Sequence, residues 1–314
     1  MRLVRLLTLL LIVFALSACA GNQQVSENEN NKNGGISITD FSERTITFSK
    51  VPSKIVALGN GETDIIYALG HQVVGRPNGK PVVKEVKEAL EVGSTHNVDL
   101  EKITSLQPDV VLGNEPMNRK DIRAIENIGA KMVLTNASSV DDIKKQITLF
   151  GNMLKEQEKA KELIQTIDKK IDELQQASAN SDKPRVLLVY GAPGTNMVAL
   201  PNSLGGNLLE IAGGENIAKD YPSLEMYPQY AQLNTERVVE ANPQLILLMT
   251  HGNPEEVKNS FMKDISQIAG WKELDAVKND QVHILPSDLF GTNPGTRVVD
   301  ALDYLYDLLQ DVKE

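Results

Sequence analysis

Cysteine is almost absent from this sequence of 314 residues, with Cys19 as the single example. An intrachain disulfide is therefore impossible, and the fold must be stable without one. Aromatic residues make up only 4%, and the four histidines are too scattered for the compact His and carboxylate cluster of a zinc or manganese site. The net charge of −10 argues against binding of nucleic acid, which requires a basic surface.

Motifs of several enzyme classes are also missing. No Gly-x-Ser-x-Gly or His-Glu-x-x-His pattern occurs, and the glycines within residues 59–61 and 191–194 lack the neighbours of a phosphate loop or a dinucleotide fingerprint. Tight turns explain these glycines better. We therefore expect a protein that is not an enzyme.

The N-terminus has the pattern of an export signal. Arg2 and Arg5 precede an apolar run from Leu6 to Leu16, which is too short to span a bilayer, and small residues then lead to Cys19. This is the arrangement of a lipoprotein signal, in which the cysteine is diacylated and becomes the first residue. Two acyl chains anchor a protein stably, so we expect the mature chain on the outer face of a membrane, unless Cys19 has no role.

The segment after Cys19 predicts a flexible tether, because residues 20–35 are rich in Asn, Glu and Gly and nearly free of large apolar side chains. Folding should begin near Ile36. Loss of residues 1–18 leaves 314 − 18 = 296 residues, a length that favours two domains, and a charge of −12. The predicted divisions are a signal peptide at 1–18, a lipidated tether at 19–38, an N-terminal α/β lobe at 39–139, a connecting helix at 140–180 and a C-terminal α/β lobe at 181–314.

An internal repeat is the clearest sign of organisation. Residues 98–112 and 233–247 share a Glu, a basic residue, apolar pairs, a Pro and an apolar run, so each copy predicts a short helix, a turn and a buried strand. Upstream, residues 55–60 and 197–202 each predict a strand that leads into a helix. Because short apolar strands alternate with helices, we expect α/β lobes with mostly parallel sheets.

Residues 140–178 lie between the two copies. Apolar residues recur there at mainly helical spacing, which predicts one long amphipathic helix. Packing against both lobes would bury its apolar side, and a coiled-coil dimer is the alternative. We expect a monomer in which a single connecting helix limits hinge motion between the lobes.

Two α/β lobes on one helix behind a lipoprotein signal resemble the periplasmic binding proteins that serve importers of iron-siderophores, haem and cobalamin. Residues 55–70 and 97–109 carry this resemblance, which extends over residues 39–309. It implies a substrate-binding lipoprotein of an ABC importer. It also implies that Glu101 and Glu236 dock into basic pockets of the permease dimer. The alternative is that both are solvated glutamates at helix starts.

The C-terminal half is similar to one subgroup, the haem-receptor lipoproteins of Gram-positive iron-regulated surface systems. The similarity is carried by residues 187–199, 212–216, 251–257 and 276–282. It implies that His251 is an axial ligand of haem iron and that an N-lobe methionine is the other. The matching N-lobe position holds His96, and imidazole is itself a good ligand. Haem would then be cargo held between the lobes, and upstream haem-donor surface proteins are implied as partners.

Further side chains are candidates for the lining of the cleft. The helix start after residue 59 would offer free N–H groups to a haem propionate, loop arginines would offer charge, and Met or Tyr could reach the iron. These candidates are Asn60, Gly61, Glu62, Thr63, Arg76, Met117, Met197, Tyr227 and Arg297. Each could instead be an ordinary structural or solvated residue. His71 and His283 have the pattern of structural histidines.

Three other functions stay open. A ferric-siderophore receptor is the main alternative because it shares the fold, and a cobalamin receptor is a weaker one. An adhesin without a cleft is the alternative outside transport. A visible spectrum with and without haemin, together with thermal stabilisation by a ferric chelate, separates them.

Overall fold

The computed structural model describes residues 35–179, 181–192, 195–250, 254–266 and 270–312. The predicted signal peptide, Cys19 and His251 lie outside these ranges. None of the helices within the ranges combines the length and the apolar character needed to cross a membrane.

Residues 36–135 form the N-terminal lobe. Its strands are β1 (Ile36–Thr39), β2 (Thr45–Phe48), β3 (Ile55–Ala57), β4 (Val73–Arg76), β5 (Leu90–Glu91), β6 (Val110–Asn114) and β7 (Lys131–Thr135), and its helices are α1 (Asn60–Ala68), α2 (Leu100–Leu106) and α3 (Ile122–Asn127). Strands β1 and β2 form an antiparallel hairpin. The other five are parallel in the order β5-β4-β3-β6-β7. The inner strands β3 and β6 are buried on both faces, as their continuous apolar sequences predict.

The connecting segment is two helices, α4 (Val140–Leu154) and α5 (Gln157–Ser178), where the sequence predicts one. Lys155 ends α4 in the left-handed conformation, with φ 61°, and the chain turns into α5 at Glu156. The two helices then pack closely, because Gly151 leaves no side chain in the way of Ala160. The apolar spacing continues across the turn, so the pattern could not reveal it. The connection is therefore a packed helix pair rather than a single rod.

Residues 185–312 form the C-terminal lobe. Its strands are β8 (Arg185–Ala192), β9 (Thr195–Ala199), β10 (Glu215–Asn216), β11 (Tyr230–Gln232), β12 (Leu245–Thr250) and β13 (Val282–Ile284), and its helices are α6 (Leu204–Ile211), α7 (Thr235–Ala241), α8 (Pro254–Ser266), α9 (Asp275–Lys278), α10 (Ser287–Phe290) and α11 (Val298–Asp311). The sheet order is β11-β9-β8-β12-β13, with β10 beside β8. Strands β8, β12 and β13 are parallel, whereas β9 runs antiparallel to both of its neighbours.

Three apolar cores hold these layers together. One core is shared by both sheets and by α4, α5 and α11. The second and third cover the opposite faces of the C-terminal and N-terminal sheets. Strand alternation sends Leu188 and Leu247 into the shared core and their neighbours Leu187 and Leu248 into the outer one. Both lobes are thus built on one continuous apolar interior.

The repeat seen in the sequence is a structural repeat. Helix α2, a proline turn and β6 have the same local structure as α7, a proline turn and β12. Asp99 caps α2 by accepting from Lys102 N at 3.1 Å, and Asn234 caps α7 by accepting from Arg237 N at 3.0 Å. The predicted helix, turn and strand are confirmed in both copies.

The second sequence pair does not occupy matching places. Residues 55–60 include β3, which lies next to β6, whereas residues 197–202 include β9, which is not a neighbour of β12. Strand β8 takes the place beside β12. The C-terminal lobe therefore carries an extra antiparallel strand before its helix, and the sequence match reflects only a shared strand and turn.

Candidate functional site

The carboxyl ends of the parallel strands define a common edge in each lobe, where ligand sites of open α/β sheets lie. In the N-terminal lobe this edge carries the start of α1, Arg76, the loop of residues 93–98 and the loop after β6. In the C-terminal lobe it follows β12, whose last residue is Thr250. The predicted candidates His96, Met117 and Arg76 therefore share one edge of one sheet.

His96 lies at the tip of a tight loop and is exposed. Gly93 and Val98 pair across the loop as an isolated bridge, and Ser94 N donates to Asn97 O at 2.9 Å. Gly93 has φ +99°, and a Cβ there would overlap the carbonyl of Asn97, so the turn requires glycine. These contacts fix the shape of the turn that carries His96.

His251 lies outside the described residues, directly after the fully buried strand β12. Its predicted role as an iron ligand stays a prediction. Met117 is 44% exposed in the loop that follows β6. Met197 lies in mid-strand on β9, paired with Tyr190 and Gln232.

The start of α1 is packed, and the N–H groups of Glu62 and Thr63, which were expected to be free, have partners within the protein. Glu62 is 4% exposed, and its carboxylate accepts from Thr135 Oγ1 at 2.8 Å and from its own backbone N–H. Thr63 N donates to Gly59 O at 3.2 Å. A side chain at Gly61 would overlap Asn293, so the C-terminal lobe covers this position. Burial raises the pKa of Glu62, and the adjacent donors oppose this rise only in part.

Both predicted arginines have partners within the protein. Arg76 Nη1 donates to Pro77 O at 3.0 Å and to Gly79 O at 2.9 Å, while Nη2 lies 2.8 Å from Glu91 Oε1. The Arg297 guanidinium bonds Asp288, through Nη1 to Oδ2 at 3.2 Å and through Nη2 to the backbone oxygen at 2.6 Å. A bound propionate would have to compete with these internal partners.

A polar contact between the lobes, which we call the Asp64 clamp, was not predicted. Asp64 on α1 accepts from Thr296 N at 2.6 Å and from Thr296 Oγ1 at 2.7 Å, and Arg297 Nε lies 3.7 Å away. Asn293 Nδ2 also donates to the buried Gln146 Oε1 at 2.8 Å. Burial raises the pKa of Asp64, while the donors of Thr296 oppose the rise. The sequence signal for this contact was a carboxylate, Asp64, directly before the apolar residues Ile65 and Ile66 of a predicted helix.

Tyrosines gather near the C-terminal side of the lobe boundary. The rings of Tyr190 and Tyr230 have centroids 5.3 Å apart, and Tyr227 is 53% exposed in the preceding turn. Burial, with the nearby hydroxyls of Tyr230 and Tyr227, raises the pKa of Tyr190 to about 12. Gln229 Nε2 in the same turn donates to Ser138 Oγ of the N-terminal side at 2.6 Å. Tyr227 therefore stands beside a contact that joins the lobes.

Glu101 and Glu236 occupy matching places, each the second residue of its repeat helix. Both are exposed, and within the described part of the chain neither carboxylate forms an ion pair. Each is followed by a basic residue, Lys102 or Arg237. The fold thus presents one acidic side chain per repeat in the same local setting.

The remaining histidines have structural partners. His71 Nε2 lies 3.3 Å from Glu156 Oε1, at the start of α5. His283 Nε2 lies 2.8 Å from Gln281 Oε1, and burial lowers its pKa. Across the described ranges, no three His, Cys, Asp or Glu side chains come close enough together to hold a bare metal ion.

Known proteins resemble this chain in sequence and in fold. Residues 55–289 match the family described as periplasmic binding protein. The high-affinity heme uptake system protein IsdE of Staphylococcus aureus is 30% identical over 317 aligned positions, which cover 100% of both sequences.

Two solved structures extend the comparison. An ABC transporter substrate-binding protein from Listeria monocytogenes has a TM-score of 0.72 and 32% identity, covering 83% of this chain and 100% of that one. IsdE of Staphylococcus aureus complexed with heme has a TM-score of 0.72 and 31% identity, covering 82% of this chain and 98% of that one. The predicted α/β fold class is confirmed.

Proposed function

We propose, from the premise that the chain belongs to the periplasmic binding protein family, that it is the haem-binding receptor of an ABC importer. The observation that carries the proposal is a sequence identity of 30% with a heme uptake protein, over an alignment that covers the entire length of both sequences. The similar solved structures, one with heme and one named as an ABC transporter substrate-binding protein, support the same function. The protein captures its cargo without chemistry, so we assign it no enzymatic activity.

The proposed iron ligands are His96 and His251, one from each lobe. His96 stands on a tight loop at the carboxyl edge of the N-terminal sheet, and His251 follows the strand that ends at the corresponding edge of the C-terminal sheet. Neutral imidazole is a strong ligand of haem iron. Met117 and Tyr227 are the exposed neighbours that we propose along the cleft. We leave Glu62 and Thr63 out of the proposed lining because both are buried among protein partners.

The proposed docking contacts to the permease dimer are Glu101 and Glu236. Their matched positions at two repeated helices would let them meet a pair of symmetry-related basic pockets. We further propose that Cys19 carries the lipid anchor on the outer face of the cell membrane. Such an anchor would keep the receptor close to its permease and raise the effective concentration for docking. Upstream haem-donor proteins remain proposed partners.

The first experiment is a haemin titration of the chain from residue 20 onward. We expect a sharp Soret band that shifts in His251→Ala and, separately, in His96→Ala. The matched controls are His71→Ala and His283→Ala, whose imidazoles have internal partners and should leave the band unchanged. A spectrum of free haemin with the unaltered protein would contradict haem binding. Thermal stabilisation by a ferric hydroxamate, without any effect of haemin, would instead support a siderophore receptor.

The second experiment tests docking. We expect the double variant Glu101→Lys and Glu236→Lys to bind haemin normally but to lose uptake in cells, since each lobe would repel a basic pocket. The control carries the same charge change at Glu158→Lys and Glu273→Lys, two exposed positions outside the repeats. Normal uptake by the first pair, or equal loss in the control, would remove the docking assignment.

A further inference from the structure

The side chain of Asn118 is completely buried in the loop that follows β6, next to Met117. Its amide makes three hydrogen bonds. Oδ1 accepts from Asn114 N at 2.9 Å, and Nδ2 donates to Asp121 Oδ2 at 2.9 Å and to Thr95 O at 3.0 Å. The first two bonds stay within the loop, whereas the third reaches the residue that precedes His96.

The burial of Asn118 makes its bond to Thr95 O energetically important. The Asn118 side chain is fully buried, so losing Thr95 O would leave its Nδ2 short of an acceptor away from water, which costs more than at the surface. Gly113 permits the arrangement, because a Cβ there would lie 3.0 Å from both Cβ and Oδ1 of Asn118. Asn118 is therefore packed against the end of β6 and hydrogen-bonded to the loop of residues 93–98.

The loop that carries His96 needs outside contacts to fix its direction. Its internal bonds, Ser94 N to Asn97 O at 2.9 Å and His96 N to Ser94 Oγ at 3.3 Å, fix only its own shape. Asn78 holds one end, since its Oδ1 accepts from Gly93 N at 3.0 Å. Asn118 holds the middle, one residue from the histidine.

We infer that Asn118 is a positioning residue that holds His96 ready to coordinate haem iron, an inference that rests on the proposed function. A ligand fixed before binding loses less conformational freedom when it binds. Without the bond to Thr95, the middle of the loop is held less firmly although Asn78 still holds one end, and coordination by His96 becomes weaker. Asn118 does not touch the iron itself.

A double variant isolates the bond to the loop. The variant combines Asn118→Asp with Asp121→Asn. The new carboxylate at position 118 still accepts from Asn114 N. It also accepts from the new amide at position 121, so the contact between positions 118 and 121 remains with donor and acceptor exchanged. It replaces the amide that donates to Thr95 O with a carboxylate oxygen, which cannot donate. Asp121→Asn alone is the matched control, because an Asn oxygen still accepts from Asn118 Nδ2. Asn118→Ala serves as a second variant if the double variant does not fold.

The readouts are hydrogen exchange of residues 93–98 without ligand and the spectrum of the ferric haem complex. In the double variant we expect exchange of the loop to rise about 5- to 100-fold. We also expect its spectrum to move toward that of His96→Ala, with faster cyanide binding, while the control matches the unaltered protein. Unchanged exchange or an unchanged spectrum would overturn the inference. Failure of the unaltered protein to bind haemin would overturn the proposed function. The exchange rates would still show whether the bond from Asn118 to Thr95 O orders the loop.

Discussion

Removal of the Asp64 carboxylate should destabilise the protein more than its small size suggests. The side chain is almost fully buried on α1 and accepts two hydrogen bonds from Thr296 at 2.6 and 2.7 Å. In Asp64→Ala, a backbone N–H and a hydroxyl lose their acceptor at a buried contact. Each lost acceptor costs about 1–3 kcal/mol, so we expect the free energy of unfolding to fall by about 2–6 kcal/mol. The melting temperature should fall by about 4–12 °C.

The isosteric variant separates hydrogen bonding from charge. Asp64→Asn retains an oxygen that can accept from Thr296, and it loses only the long contact to Arg297 Nε at 3.7 Å. Arg297 keeps its bonds to Asp288. Burial raises the pKa of Asp64 because desolvation disfavours the ionised carboxylate, and the neutral Asn side chain avoids this desolvation cost. We therefore expect a loss below about 1 kcal/mol for this variant.

Urea unfolding and calorimetry of the chain from residue 20 would measure both variants. Asp141→Ala is the control, because this carboxylate is 75% exposed and pairs with Lys144, a contact expected to contribute under about 1 kcal/mol. Equal losses for Asp64→Ala and the control would refute the reasoning. So would an Asp64→Asn variant as unstable as the alanine variant, because the amide keeps the acceptor.

The same variants should loosen the lobes relative to each other. Spin labels on Ser105→Cys and Glu240→Cys, exposed and equivalent positions of the two repeat helices, would be the only thiols once Cys19 is removed. We expect the distance distribution between these labels to broaden in Asp64→Ala and to stay narrow in Asp64→Asn. A narrow distance distribution in both variants would show that the Asp64 clamp contributes to stability but does not hold the lobes in a fixed relative position.

Three further predictions concern stability. Burial raises the pKa of Glu62 in the folded protein, so the contribution of Glu62 to stability is largest below pH 4.5, its ordinary pKa, and declines as the pH rises through the raised pKa. In urea unfolding measured from pH 4.5 to 7.5, Glu62→Gln should make this decline smaller. Gly295→Ala should cost more than Gly129→Ala in calorimetry, because both residues have positive φ, 66° and 89°, but only the former is crowded. Asn234→Ala should lower the free energy of unfolding in urea by about 1 kcal/mol, and Asp99→Ala should also lower it, since the two residues cap equivalent helices.

Local patterns predicted the elements that local physics controls. Strands β6 and β12 are apolar runs bounded by a proline turn, and Asp99 and Asn234, whose side chains suit a helix cap, directly precede helices α2 and α7. Because each copy carries a Glu, a basic residue, apolar pairs and a proline turn in the same order, the repeat could be found without any knowledge of contacts. The two exposed glutamates followed from it.

Long-range contacts decided what the sequence could not predict. The turn at Lys155 has no proline or glycine at the break, and only the packing of α4 on α5 explains it. Strand β9 has an apolar pattern that fits either direction, and its pairing alone makes it antiparallel. Asn118 and Asp64 are separated from their key partners by 23 and 232 residues, so neither contact has a local signature. The packed start of α1 was missed for the same reason.

The shared core and the Asp64 clamp together bear on how such a receptor would signal that it is loaded. Both sheets rest on one apolar interior, and a large rotation of the lobes would have to open that interior to water as well as break the bonds of Asp64. The spacing between Glu101 and Glu236 is then set mainly by the fold, with or without cargo. Under the proposed function, discrimination of cargo would fall to the loops at the sheet edges, and the bond from Asn118 to Thr95 would hold the loop of His96 in place before cargo binds.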